Sequence, residues 1–296
     1  MRLQVSHFTK YVYQEPVIDS VNEVRLTPKT EDCQTCCDHS ISIRPSVSLF
    51  PYTDYYGNTV HYFSVPFPHE ELVIESRSIV QTSEGSLEQT NRVPYSAECE
   101  ILESEAFQNQ YAEYLMETAY TKTTKELEDF ASGIVHGEKL ESVYELLERI
   151  SHAIYTTFTY ETNVTNVHTT VEETLQLKRG VCQDYAHLMI ATCRLFNVPC
   201  RYVSGYHYLG EVGGEETKVQ HFSHAWVEAY VPLIGWIGLD PTNNEKTNWR
   251  YIKIGHGRNY SDVVPVKGMY RGTPCQQLEV TVELKRVQEE HSHGVE

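Results

Sequence analysis

RGVCQDYAHLMIATCRLFNVP, residues 179–199, is the stretch on which the reading of this chain turns. Leu188, Met189, Ala191, Cys193 and Leu195 carry a helix that opens at about Cys182. It closes at Asn197-Val198-Pro199, because proline cannot continue it. A cysteine in the first helical turn faces the positive end of the macrodipole and backbone N–H groups that lack intrahelical acceptors. That setting favours the thiolate, the form that attacks a carbonyl, and the same N–H groups suit an oxyanion. Gly180 allows the backbone to turn tightly just before it. A small apolar residue closing the helix is the alternative, and this stretch alone leaves both open.

Downstream the period changes to two. Ser223–Val231, SHAWVEAYV, alternates strictly, with Ala225, Val227, Ala229 and Val231 on a core face and His224, Trp226, Glu228 and Tyr230 on the other. GWIGLDPT, residues 235–242, is a second strand, and the break at 232–235 between them reads as a hairpin. Asp240 then ends one strand beside the start of its neighbour, where it can accept a hydrogen bond from His224 and orient it as a general base. A turn-initiating Asp-Pro pair is the plainer account of Asp240. The order of the three, a cysteine opening a helix, a histidine opening a strand and an aspartate closing the next, is the one papain-like folds use for acyl transfer.

Upstream, residues 1–85 alternate or are rich in β-branched and aromatic residues, and read as an N-terminal antiparallel β domain. From 86 to 270 helical periodicity leads into the strands above. Helices are expected over about 104–118, from a Thr123/Glu126 capping box to Ile134, from Ser142/Glu145 through Ile154, and from Thr170/Glu173 to Lys178. Residues 271–288 form a C-terminal strand that could return to the β domain, and 289–296 are a polar tail. The fold class is α+β, with the helix bearing Cys182 packed on an antiparallel sheet.

The chain has 296 residues, 40% hydrophobic and 11% aromatic, enough to bury a core. Its net charge of −17 argues against nucleic acid or anionic membrane as a partner. The N-terminus reads as a strand and not a signal peptide, and no apolar run reaches the roughly 18 residues of a membrane span. A cytoplasmic location with reduced thiols is the expectation. Cys33, Cys36, Cys37 and His39 have zinc-like spacing but no second ligand pair in sequence, so no metal or other cofactor is expected. Cys193 and Cys200 read as buried small hydrophobes.

GVCQDYAHL, PCRYVSGY, HAWVEAYV and GWIGLDPT together resemble the core of the transglutaminase-like superfamily, over roughly residues 140–245. YVYQEPV, NEVRLTP and DYYGNTV resemble the bacterial transglutaminase-like N-terminal region. The resemblance implies Cys182 as nucleophile, His224 as general base and acid, and Asp240 as its orienter. It implies acyl transfer on amide or peptide substrates through a thioester. Hydrolysis is expected over amine cross-linking, the transglutaminase reaction; a catalytically silent scaffold is the reading from another class. Tyr160, Gln183 and Trp226 are substrate-cleft candidates. Asp184 fits the family's G-x-C-x-D pattern in a structural role, His187 reads as a helix-face residue, and His207 and His221 flank a loop beside the cleft.

Overall fold

The computed structural model describes residues 1–85, 93–137, 139–210 and 223–287. The chain opens with β1 (Arg2–Val24), β2 (Gln34–Arg44), β3 (Phe50–Thr53), β4 (Thr59–Val65) and β5 (His69–Thr82). The middle holds α1 (Tyr95–Glu103), α2 (Glu105–Gln110), α3 (Ala112–Leu115), α4 (Lys125–Val135) and α5 (Val143–Thr157). Next come β6 (Thr159–Tyr160), α6 (Val171–Leu177), β7 (Arg179–Gly180) and α7 (Cys182–Leu195). The rest is β8 (Cys200–His207), β9 (Ser223–Val231), β10 (Gly235–Asp240), β11 (Glu245–Lys246), β12 (Tyr251–Gly257), β13 (Val266–Arg271) and β14 (Cys275–Arg286).

The architecture is α+β with two antiparallel sheets. In the first, β1 is long enough to serve two sets of partners. Its first half lies between β5 and β14, its second half between β4 and β13, and the register shifts after Val12 where the strand bends. The C-terminal strand thus pairs with β1, and the return begins before residue 271, because β13 already pairs with Val21–Val24. The second sheet has the order β11-β10-β9-β8-β12. Ala225, Val227, Ala229 and Val231 pack with Leu188, Met189 and Ile190 of α7 in one buried cluster, so the alternation read from the sequence sets which face meets the helix.

Local signals located most helices. Ser142 and Thr170 cap α5 and α6, and Lys178, in the left-handed region, ends α6. Two expectations fail. The helix over 104–118 is broken: Ser104 accepts from Phe107 N and donates to Ile101 O, ending α1 and starting α2 at one residue. Helix α4 is capped by Thr124, whose hydroxyl accepts from Leu127 N, while Thr123 turns its amide to Glu117.

Candidate active site

Cys182 opens α7 and is half-buried. The preceding residues form β7, which pairs in parallel with β6, so that Tyr160 stands opposite Gly180. Asp184 reaches back to accept from Val181 N at 2.8 Å and also accepts from Thr165 Oγ1 at 2.7 Å. It therefore fixes both the helix start and the loop beside it. Gly180 is needed for space and not for a turn: a Cβ there would lie 2.7 Å from Asp184 Oδ2, and its backbone is not left-handed.

His224 begins β9 and Asp240 ends β10, and the hairpin register brings them together. His224 Nε2 lies 2.7 Å from Asp240 Oδ2, which leaves Nδ1 as its free ring nitrogen, and Cys182 is near enough to act on the charge of the ring. Burial alone would lower the histidine pKa. The Asp240 carboxylate, with Cys182 beside it, overrides that and raises it to about 10. Asp240 is fully buried. Burial works against its ionisation, but His224, Tyr251 and Asn243 outweigh it and hold the carboxyl low. Oδ2 accepts from His224, from Asn243 Nδ2 at 2.6 Å and from Tyr251 OH at 2.7 Å, and Oδ1 accepts from Thr242 N at 2.9 Å.

The other residues singled out from the sequence fall into place differently. Tyr160 is 52% exposed, and burial first, then the charges of Cys182, Asp240 and Asp184, raise its hydroxyl to about 12. Gln183 is nearly buried and its amide donates to Val167 O, so it holds the neighbouring loop. Trp226 is only 2% exposed and walls no groove. The face assigned to it by alternation is covered: its ring lies against Gly205 and edge-on to Tyr251, and it backs the His224 ring. His187 is buried and not on a helix face in solvent; it stacks on Tyr120 and its Nε2 accepts from Tyr260 N. Cys193 and Cys200 are buried, as expected. His207 ends β8 and stacks on Tyr251, while His221 lies outside the described residues.

His39 places its ring nitrogens 2.9 Å from the hydroxyls of Thr27 and Ser78, so neither faces the cysteines of its cluster. Among the described residues, His207, His224 and Asp240 bring ligand atoms within 4.8 Å of one another. The donors already on Asp240 Oδ2 and the proton held by His224 favour a hydrogen-bonded cluster over a metal site, since a metal would have to displace them.

Sequence reasoning missed Asn243, Glu245 and Tyr251. Asn243 was within reach of it, three residues after Asp240 in a turn-forming DPTNN segment. Tyr251 and Glu245 gave no signal, because their contacts depend on the pairing of β11 with β10 and on β12 taking its place beside β8.

Residues 3–81 match the family model for the bacterial transglutaminase-like N-terminal region, and residues 128–241 match that of the transglutaminase-like superfamily. The chain belongs to the transglutaminase-like superfamily. An uncharacterised Mycobacterium leprae protein is 34% identical over 97% of this transglutaminase-like chain and 99% of its own. A Pseudomonas aeruginosa protein-glutamine gamma-glutamyltransferase is 30% identical over 109 residues, 36% of this chain and 16% of that one. A Cytophaga hutchinsonii crystal structure, described as that of a candidate cysteine protease, superposes with a TM-score of 0.72 at 19% identity, covering 98% of this chain and 92% of that one. That likeness establishes the shared fold. No helix among the described residues is long and apolar enough to cross a membrane.

Proposed function

We propose that this protein is a cysteine-dependent acyl-transfer enzyme acting on amide or peptide substrates, with Cys182, His224 and Asp240 as its catalytic group. The observation that carries the reading is the His224 imidazole, bonded at 2.7 Å to the buried Asp240 carboxylate and close enough to the helix-opening Cys182 to feel its charge. The Cys182 thiolate attacks the substrate carbonyl, and first-turn amides of α7 take the oxyanion. His224 gives its Nδ1 proton to the leaving amine, leaving a thioester on Sγ. Water, deprotonated by His224, then attacks the thioester and releases the acid. Asp240 stays ionised throughout and fixes the ring's tautomer.

Hydrolysis is our reading of the second step, supported by the description of the Cytophaga neighbour. Transfer to an amine, the reaction that names the Pseudomonas relative, is the second reading. A cytoplasmic setting is part of the same proposal, and cell fractionation tests it. Mass spectrometry of the protein with glutamine-containing peptides, with and without an added primary amine, tests the chemistry. Deamidated or cleaved peptide in both arms supports hydrolysis, and amine-adducted peptide supports transfer. A Cys182 that alkylates with the pH dependence of an ordinary thiol, pKa about 8.5, would point to a catalytically silent scaffold.

A further inference from the structure

Behind the aspartate stands a second carboxylate. Tyr251 OH lies 2.7 Å from Asp240 Oδ2 and 2.6 Å from Glu245 Oε1. A phenol has one proton to give, so the two carboxylates compete for it. The spacing is built into the backbone, because Asp240 and Glu245 are paired residues of the β10–β11 ladder. The tyrosine ring is held by His207, which stacks on it with centroids 4.3 Å apart and planes 12° apart. Without the phenol, Asp240 Oδ2 still accepts from His224 and Asn243.

We propose that Glu245 is a positioning residue of the catalytic group: it draws the Tyr251 proton away from Asp240 and so keeps the aspartate's charge directed at His224. The inference rests on the acyl-transfer reading of the site. When the phenol proton points to Glu245 it is withheld from Asp240, and the aspartate's charge falls instead on His224. With Glu245 neutral the proton turns to Asp240, spreads its charge over another donor and loosens its hold on the imidazolium. The charged and titratable groups around the pair are His207 from β8, His224 from β9, Asp240 from β10, Lys246 beside it on β11, and Glu148 and His152 of α5 across a cavity of about 190 Å³. Glu245 opens onto that cavity and its side chain is 38% exposed, so an isosteric change there leaves the core intact.

The test is the pH dependence of Cys182 alkylation by chloroacetamide, read with imidazole ¹⁵N NMR of His224. It is run in the wild type, Glu245→Gln, Tyr251→Phe and the double variant, with Glu245→Ala as a second route to the same loss. Removing Glu245 should lower the His224 titration by about half a unit to one unit. Tyr251→Phe should leave it in place or raise it, and adding Glu245→Gln to Tyr251→Phe should produce no further fall. A simple through-space charge effect would give the same fall in both backgrounds, and that result overturns the proposal. So does a Glu245→Gln profile that superimposes on the wild type. An ordinary thiol titration in the wild type is a different outcome: it removes the acyl-transfer reading, and this inference with it.

Discussion

Asp240→Asn separates charge from shape at the centre of the proposed catalytic group. The histidine is raised from 6.5 to about 10, a difference of about 3.5 units or about 5 kcal/mol in favour of the imidazolium. Coulomb attraction across 2.7 Å is roughly 6 kcal/mol at an effective dielectric of about 20, so the aspartate can supply that shift and offset part of the burial cost. Asparagine fills the same volume and its Oδ1 can still accept from Thr242 N. Its Nδ2, however, would face His224, Tyr251 and Asn243, all donors. The ring must then accept at Nε2, which puts its proton on Nδ1 and leaves none to spare for an imidazolium. Chloroacetamide alkylation at pH 7 should fall about thirtyfold, since an ordinary thiol with pKa about 8.5 is only about 3% thiolate there. Acyl transfer, which needs both charges, should fall by about 10³-fold or more. An Asp240→Asn protein that alkylates within twofold of the wild type from pH 6 to pH 9 would refute the reasoning.

The same pair makes a prediction about stability. A histidine whose pKa is raised contributes fully below its unfolded value of about 6.5, and that contribution is lost as pH climbs towards about 10. The wild-type advantage over Asp240→Asn in urea unfolding should therefore be flat near pH 6 and shrink steadily from pH 7 to pH 10. Cys182→Ala should change the unfolding midpoint little and abolish covalent labelling by an activated ester, as intact mass would report. Gly205→Ala puts a Cβ 2.1 Å from Ile252 O and 2.6 Å from the Trp226 ring, behind His224. It should cost about 3 kcal/mol or more in urea unfolding, because one contact is backbone and cannot rotate away. Asn58→Ala strips both bonds from the His256 peptide and should cost about 2–3 kcal/mol, with Asn58→Asp recovering at most the acceptor half.

What the sequence revealed was whatever is local in the chain. The helix of Cys182 shows in its apolar spacing, the His224 strand in its alternation, and α5 and α6 in their caps. Because β9 and β10 are joined by a short turn, the pairing of His224 with Asp240 follows from local reading too. Strand β12 stayed hidden for a physical reason. Lys253 and His256 interrupt its apolar pattern, yet both are buried, Lys253 because its ammonium lies 2.8 Å from Glu228 of β9. Charge pairs of that kind join distant parts of the chain and have no period. The misplacement of Trp226 has the same origin: alternation says which face a side chain takes, but not what comes to cover it.

The covering of that face and of the β12 edge explains why the N-terminal strands matter to a site they do not enter. Strand β12 pairs with β8 on one side only, and on its other side the buried peptide groups of Lys253 and His256 meet the first half of the chain, where Lys29 N donates to Lys253 O at 3.0 Å. Two side-chain amides from the first half of the chain take the place of the missing strand. Gln34 donates to Lys253 O and accepts from Lys253 N, both at 2.8 Å, and Asn58 does the same for His256 at 2.9 Å. A carboxamide offers one donor and one acceptor side by side, as a peptide does, so it closes an edge without extending the sheet. On the face of the same strands, Leu3, Val5, Val80, Val282 and Leu284 close over Tyr206, Ile252 and Ile254. Tyr251, two residues from the first amide clamp, is the residue whose hydroxyl reaches Asp240. The rigidity of the aspartate thus depends on a strand whose second edge is supplied by residues about 200 positions earlier. This gives a structural reason for the two family regions to occur in one chain.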